Sequence, residues 1–235
     1  MAKVDRKKLL KEPDEFLTLS SRVIRWSKDN LNKVLWGATA VALIVAAVLG
    51  FKTYLDWREQ RAAADLAGVM SGYAAAVEGK LAKDQVVKLA ADLAKVTEDY
   101  GSTPAGLQAR LALGDLRLGL GEWDKAKAVF ESLTEEGGLG AELAPLAFHG
   151  LGQALEGEKK YKEAAQAYAQ AIAVAGPNLG QTFKLDQARV LAASGDTKTA
   201  TKLYQEILSQ PAGEAVHERA RGALAALGME VPAES

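Results

Sequence analysis

The chain has 235 residues, no cysteine and a formal net charge of −1. The lack of cysteine excludes a disulfide framework, a thiol nucleophile, a thiolate metal site and a lipid-anchored cysteine. The near-neutral balance offers no electrostatic footprint for nucleic acid. The charge is unevenly spread, however. Residues 1–33 carry nine Lys/Arg against five Asp/Glu, a net of +4, and the remainder carries 20 against 25, a net of −5.

Residues 1–33 read as a cytoplasmic leader with an amphipathic helix. Pro13-Asp14 predicts a helix start, and the helix runs to about Asn32. Phe16, Leu17, Val23, Ile24, Leu31 and Val34 recur at steps of three and four, with Arg22, Arg25 and Lys28 as a basic flank. Such a helix suits an anionic membrane surface, a partner's cytoplasmic loop, or a plain lead-in to the apolar run beside it.

Val34 to Phe51 is a run of eighteen residues without a charge. As a helix it spans about 27 Å, close to the hydrocarbon thickness of a bilayer. Lys33 and Lys52 bracket it, and Trp36, Tyr54 and Trp57 stand near the expected interfaces. A buried core helix fits poorly, because a helix apolar all round needs protein on every side. A cleaved signal peptide fits poorly too, since residues 1–33 would make its charged leader over thirty residues long. Residues 34–54 are therefore expected to form a single-pass transmembrane helix. Arg22, Arg25, Lys28 and Lys33 on one flank face Lys52, Arg58 and Arg61, mixed with Asp56 and Glu59, on the other. This bias, with the basic leader, predicts a cytoplasmic N-terminus and a C-terminal domain across the membrane.

Residues 55–103 are expected to form a helical cap. The first helix continues from the membrane span with Leu66, Val69, Met70, Tyr73 and Val77 on one side, and Gly79 breaks it. Asp84 caps a second helix to about Asp99, with Val86, Val87, Ala90, Leu93 and Val96 as its buried stripe. Thr103-Pro104 then opens a further helix, threonine as N-cap and proline at the first helical position.

From here one pattern occurs three times, over residues 104–212. The units are Gly114, Gly121, Trp123, Ala126 and Phe130; Gly152, Tyr161, Ala164, Tyr168 and Ala171; and Ala188, Gly195, Asp196, Ala200, Tyr204 and Ile207. A small residue is followed by a turn seven residues on, an alanine at plus twelve and an aromatic at plus sixteen. Gly114, Ala126, Gly152, Ala164, Ala188 and Ala200 let paired helices approach closely, and Phe130, Tyr168 and Tyr204 fill the space between one unit and the next. Glycine inside a helix costs about 1 kcal/mol relative to alanine, so Gly114 and Gly152 need such a packing reason. The first two units are 38 residues apart, from Gly114 to Gly152, and the glycine-rich stretch 135–140 absorbs the excess. Residues 213–235 add a capping helix and tail, with Val216, Ala220, Ala223, Leu224 and Leu227 facing inward.

These three units resemble tetratricopeptide repeats. The first matches at Leu113, Gly114, Gly121, Glu122, Trp123, Ala126 and Phe130, and the second at Phe148, Leu151, Gly152, Tyr161, Ala164, Tyr168 and Ala171. The third departs from the pattern at Lys184 and Thr197. Gly138, Pro177 and Pro211 mark the ends where the family has a closing proline. The resemblance implies an all-α fold, a single N-terminal transmembrane helix followed by a tetratricopeptide-like α-solenoid of antiparallel helix pairs. It also implies that the first helix of each unit builds the partner-binding groove. The groove positions are Gln108, Leu111, Asp115 and Leu118; Leu146, His149, Gln153 and Glu156; and Leu185, Asp186, Arg189 and Ala192. The positions at which some members clamp a partner's terminal carboxylate with several Lys and Asn residues are not basic here, which disfavours that mode.

No catalytic motif emerges. His149 and His217 are the only histidines and neither has a motif neighbour. No glycine-rich loop follows a strand, and no cofactor, metal or small-molecule substrate is expected. The whole architecture resembles the ancillary Sec-translocon subunits of the bacterial inner membrane. That resemblance implies a non-enzymatic periplasmic scaffold, with Sec channel subunits and a membrane-anchored periplasmic chaperone as protein partners. The alternative is a structural subunit of another envelope complex, in cell division, polymer export or respiratory assembly.

Overall fold

The computed structural model describes residues 15–136 and 139–230. Among these the chain is all-α, with ten helices: α1 (Glu15–Asp29), α2 (Leu31–Val77), α3 (Lys83–Tyr100), α4 (Pro104–Gly119), α5 (Trp123–Glu136), α6 (Gly140–Gly157), α7 (Tyr161–Val174), α8 (Pro177–Ala193), α9 (Thr197–Ser209) and α10 (Glu214–Ala226). The Pro13-Asp14 helix start, Gly138 and the end of the tail lie outside the described residues. The chain divides into two compact units, one up to Trp57 and one from Arg58 onward.

In the first unit, α1 stops at Asp29, short of Asn32. At the break the Asn30 side-chain Nδ2 donates to the Trp26 carbonyl at 3.0 Å and shares that acceptor with its own backbone N–H. The apolar run of α2 has no buried residue in its spanning-length window. Trp36 is 76% exposed and Leu43 66% exposed. This helix is long and apolar enough to cross a membrane.

In the second unit the helices pack as sequential antiparallel pairs. The α2 segment from Arg58 buries Ala62 and Leu66, with Val69, Tyr73 and Ala76 half-buried on the same stripe against Leu89, Ala90, Leu93 and Val96 of α3. Met70 and Val77 fall outside this stripe and are exposed. Val87 is likewise exposed, and Leu89 takes the place expected for it. At 100° per residue Val87 points about a third of a turn away from the centre of the buried stripe. Asp84 is not the cap of α3: Ala82 holds that position, and its backbone N–H donates to Gln85 Oε1 at 2.9 Å. Thr103 caps α4, its Oγ1 accepting from the Gly106 N–H at 3.0 Å, with Pro104 following.

The repeat spacing has a concrete packing cause. A Cβ added at Gly114 would come within 2.5 Å of the Phe130 ring, and one at Gly152 within 2.5 Å of the Tyr168 ring. The nearest neighbours of these glycines are thus rings rather than helix backbones. Phe130 also lies against Gly150 of the next pair, where a Cβ would meet its Cζ at 2.3 Å. One ring is therefore held between glycines of two successive pairs. Ala126, Ala164, Ala188 and Ala200 are fully buried, and Tyr204 is 3% exposed. Ala220 and Leu224 of α10 close the core around Tyr204 and Ile207.

The first helices end alike. At Gly79, Gly121, Lys159, Gly195 and Gly228 the backbone turns to positive φ. At each, the N–H of that residue and of the one after it bond carbonyls three and five residues back, as from Gly121 to Leu118 and from Glu122 to Arg117. Gly72, seven residues before Gly79, faces Leu89 as Gly114 faces Phe130. The α2–α3 pair therefore shares the punctuation of the repeats. Lys159, at φ 61°, is the one non-glycine among these five ends. A side chain in this region costs about 1 kcal/mol. Lys159→Gly is expected to raise stability by about 1 kcal/mol, a gain of about 2–4 °C in the thermal midpoint. Thermal unfolding of the full chain checks this, and a fall in midpoint would contradict it.

Candidate interaction site

The first helices place their side chains by register. One residue beyond each small position stand Asp115 on α4, Gln153 on α6 and Arg189 on α8. All three border a cleft of about 660 Å³ in the second unit. Tyr73 and Val77 of α2, Leu118 of α4, Trp123 of α5, Glu156 and Gly157 of α6, Lys159 and Tyr161 complete its wall. Trp123 is held there by contact: a Cβ at Gly157 would come within 2.3 Å of its Cδ2, yet the residue is 38% exposed. A second cavity of about 470 Å³ shares Val77 and Asp115 with the first.

The polar groups around the cleft form two systems. In one, the Tyr73 hydroxyl donates to Asp115 Oδ2 at 2.8 Å. Burial pushes the Asp115 carboxyl up from its ordinary value, and the Tyr73 bond and nearby His149 oppose this only in part. Burial, then the Asp115 charge and hydrogen bond, push the Tyr73 phenol up in turn. In the other, Glu156 accepts from the Tyr168 hydroxyl at 3.0 Å and from Arg189 Nη2 at 2.9 Å, and it also pairs with Arg189 Nη1. Asp186 accepts from His149 Nε2 at 3.0 Å and from Arg189 Nη2 at 3.1 Å. Burial opposes ionisation of Asp186, but the bonds from His149 and Arg189 outweigh it and hold the carboxyl below its ordinary value. Burial also opposes the charge on Arg189, and Glu156 and Asp186 outweigh it. Burial pushes the Tyr168 phenol up, and the charges of Glu156 and Asp186 add to this. This second system ties α6, α7 and α8 together. The His149 ring stacks on Phe183, with centroids 4.4 Å apart.

Five of the groove positions read from sequence meet in the cleft: Asp115, Leu118, Gln153, Glu156 and Arg189. Gln108 and Leu146 are exposed and lie outside it. Leu111 is half-buried against the Phe130 cluster. Leu185 corrects the expectation. It is 3% exposed in the core sealed by α9 and α10, so it presents nothing to a partner. Asp186, at 9% exposure, is committed to His149 and Arg189. Sequence reasoning did not place Tyr73, Trp123, Lys159 and Tyr161 at the site. The glycines at 72 and 79 were the available sign that the Tyr73 helix follows the register of the repeats.

Residues 108–136, most of α4 and all of α5, match the tetratricopeptide repeat family model. The chain thus contains a tetratricopeptide repeat within an all-α solenoid that follows a long apolar N-terminal helix. Among curated proteins no significant match is found.

Proposed function

We propose that this chain is a non-enzymatic, membrane-anchored scaffold that binds protein partners through its helical array. The observation that carries this reading is the match of α4–α5 to a tetratricopeptide repeat, a module that generally mediates protein–protein interaction. The His149–Asp186 pair does not argue for chemistry. His149 is stacked on Phe183, and Asp186 is spent on both His149 and Arg189, a packing arrangement rather than a base aimed at substrate.

The exposed apolar run of α2 supports a single-pass anchor. Arg22, Arg25, Lys28 and Lys33 favour its N-terminal side in the cytoplasm. In a bacterium with two membranes this puts the anchor in the inner membrane and the array in the periplasm. The resemblance in architecture to ancillary Sec-translocon subunits then favours a role beside the export channel, with a membrane-anchored periplasmic chaperone.

In-cell crosslinking, mild-detergent purification of the full chain and mass spectrometry test this reading. Recovery of Sec channel subunits and a periplasmic chaperone is expected. Recovery of a different envelope machine instead would overturn the export role and leave the scaffold. A reporter fused after Ser235 is expected to be active only if it works in the periplasm. Activity of a cytoplasm-only reporter would overturn the orientation.

A further inference from the structure

Asp115 stands out among the charged groups of the array. One carboxylate oxygen accepts from Tyr73, and among the described residues no Lys or Arg pairs with the group. A single phenol bond does not require a carboxylate; a neutral acceptor would serve without the cost of burying a charge. Two cavities of about 660 and 470 Å³ meet at this residue, which opens it to a ligand from either side. The larger cavity also carries the rings of Tyr73, Trp123 and Tyr161. Trp123 is seated on Gly157, which fixes an aromatic wall before any ligand arrives. Arg189 borders the same cavity but is taken up by Glu156 and Asp186, and Lys159 is exposed without pairing with Asp115.

A carboxylate in need of a counter-charge beside aromatic faces is the chemistry that recognises an ammonium or guanidinium group. We propose that Asp115 anchors a lysine or arginine side chain of an extended partner peptide lying in this cleft. Val77 and Leu118 border the same cavity and offer apolar contact to the neighbours of that cation. The net charge of −5 on residues 34–235 adds long-range attraction for a basic segment. This rests on the scaffold reading and names the chemistry of what the scaffold holds.

The test uses the full chain in zwitterionic nanodiscs and fluorescein-labelled, capped peptides of sequence Ser-Ala-Leu-Lys-Leu-Ala-Ser. Matched peptides carry acetyl-lysine or glutamate in place of the lysine. Anisotropy is read with empty nanodiscs subtracted. The lysine peptide is expected to bind about tenfold more tightly than its acetylated form, about 1.4 kcal/mol. Asp115→Asn keeps the acceptor for Tyr73 and is expected to erase that preference without lowering the thermal midpoint. Trp123→Leu is expected to weaken the lysine peptide about threefold or more. Equal binding of the lysine and acetyl-lysine peptides, a preference that survives Asp115→Asn, or no binding of any peptide overturns the cation site. The scaffold reading stands or falls separately, on the crosslinked partners.

Discussion

Phe130→Ala is expected to destabilise the array by about 4 kcal/mol, among the largest effects of any single truncation in this chain. The ring is fully buried and lies against Gly114 of its own helix pair and Gly150 of the next. Its loss opens a void at a junction, so the first repeat is uncoupled from the second as well as hollowed. The two glycines give the same argument with a change of sign. An alanine in a helix gains about 1 kcal/mol over glycine. At Gly150 a Cβ would sit 2.3 Å from Phe130 Cζ, closer than any real contact allows, so the ring must move within a full core. Gly150→Ala and Gly114→Ala are thus expected to cost about 1–3 kcal/mol each. Gly222, on α10, has nothing within 4 Å of an added Cβ. Gly222→Ala should therefore stabilise the chain. Denaturant unfolding of the full chain separates the cases. If Gly150→Ala proves as harmless as Gly222→Ala, the ring-on-glycine account of the repeat is wrong. A smaller ring partner offers a further check: Phe130→Leu should partly rescue Gly150→Ala, since residues in contact couple non-additively.

The same contact explains why the repeat could be read from sequence at all. A ring that must lie on a helix backbone demands glycine or alanine opposite it, and helix geometry fixes the interval. Gly114 to Phe130 and Gly152 to Tyr168 are both sixteen residues for that reason. The register of a single helix was less legible. Val87 and Leu89 are equally apolar, and only packing against α2 decides that Leu89 is buried. Leu111, His149 and Leu185 occupy matching places in their repeats. Leu185 alone is lost to the core, because α10 closes over the third pair. That depends on a helix about thirty residues further along, which no local pattern reports. The cleft was half legible. Asp115, Gln153 and Arg189 follow from the repeat phase, whereas Tyr73 comes from a helix outside the three repeats. The pairing of His149 with Asp186 joins positions 37 residues apart, and only the superposition of α6 on α8 creates it.

Asp186→Ala is expected to cost about 3 kcal/mol, because it takes an acceptor away from His149 and Arg189 at once. His149 would lose the acceptor on its Nε2, and Arg189 would keep Glu156 alone. The carboxyl of Asp186 is held below its ordinary value in the folded chain, which fixes the sign of the pH dependence. An acid whose folded pKa is depressed contributes stability that is full above its unfolded pKa and disappears as pH falls through the folded one. The gap between the native chain and Asp186→Asn should therefore be widest at neutral pH. It should hold down to about pH 4, the ordinary aspartate range, and narrow only below that. Asp115 works in the opposite direction. Its carboxyl is pushed up, so the charge opposes folding at neutral pH and protonation relieves it. Asp115→Asn should thus be neutral or mildly stabilising at pH 7, with its advantage shrinking as the medium is acidified. Unfolding of the three chains across pH 3 to 7 decides the matter. Parallel curves for Asp186→Asn and the native chain below pH 4 would show that the His149–Asp186–Arg189 bonds do not hold α6 to α8.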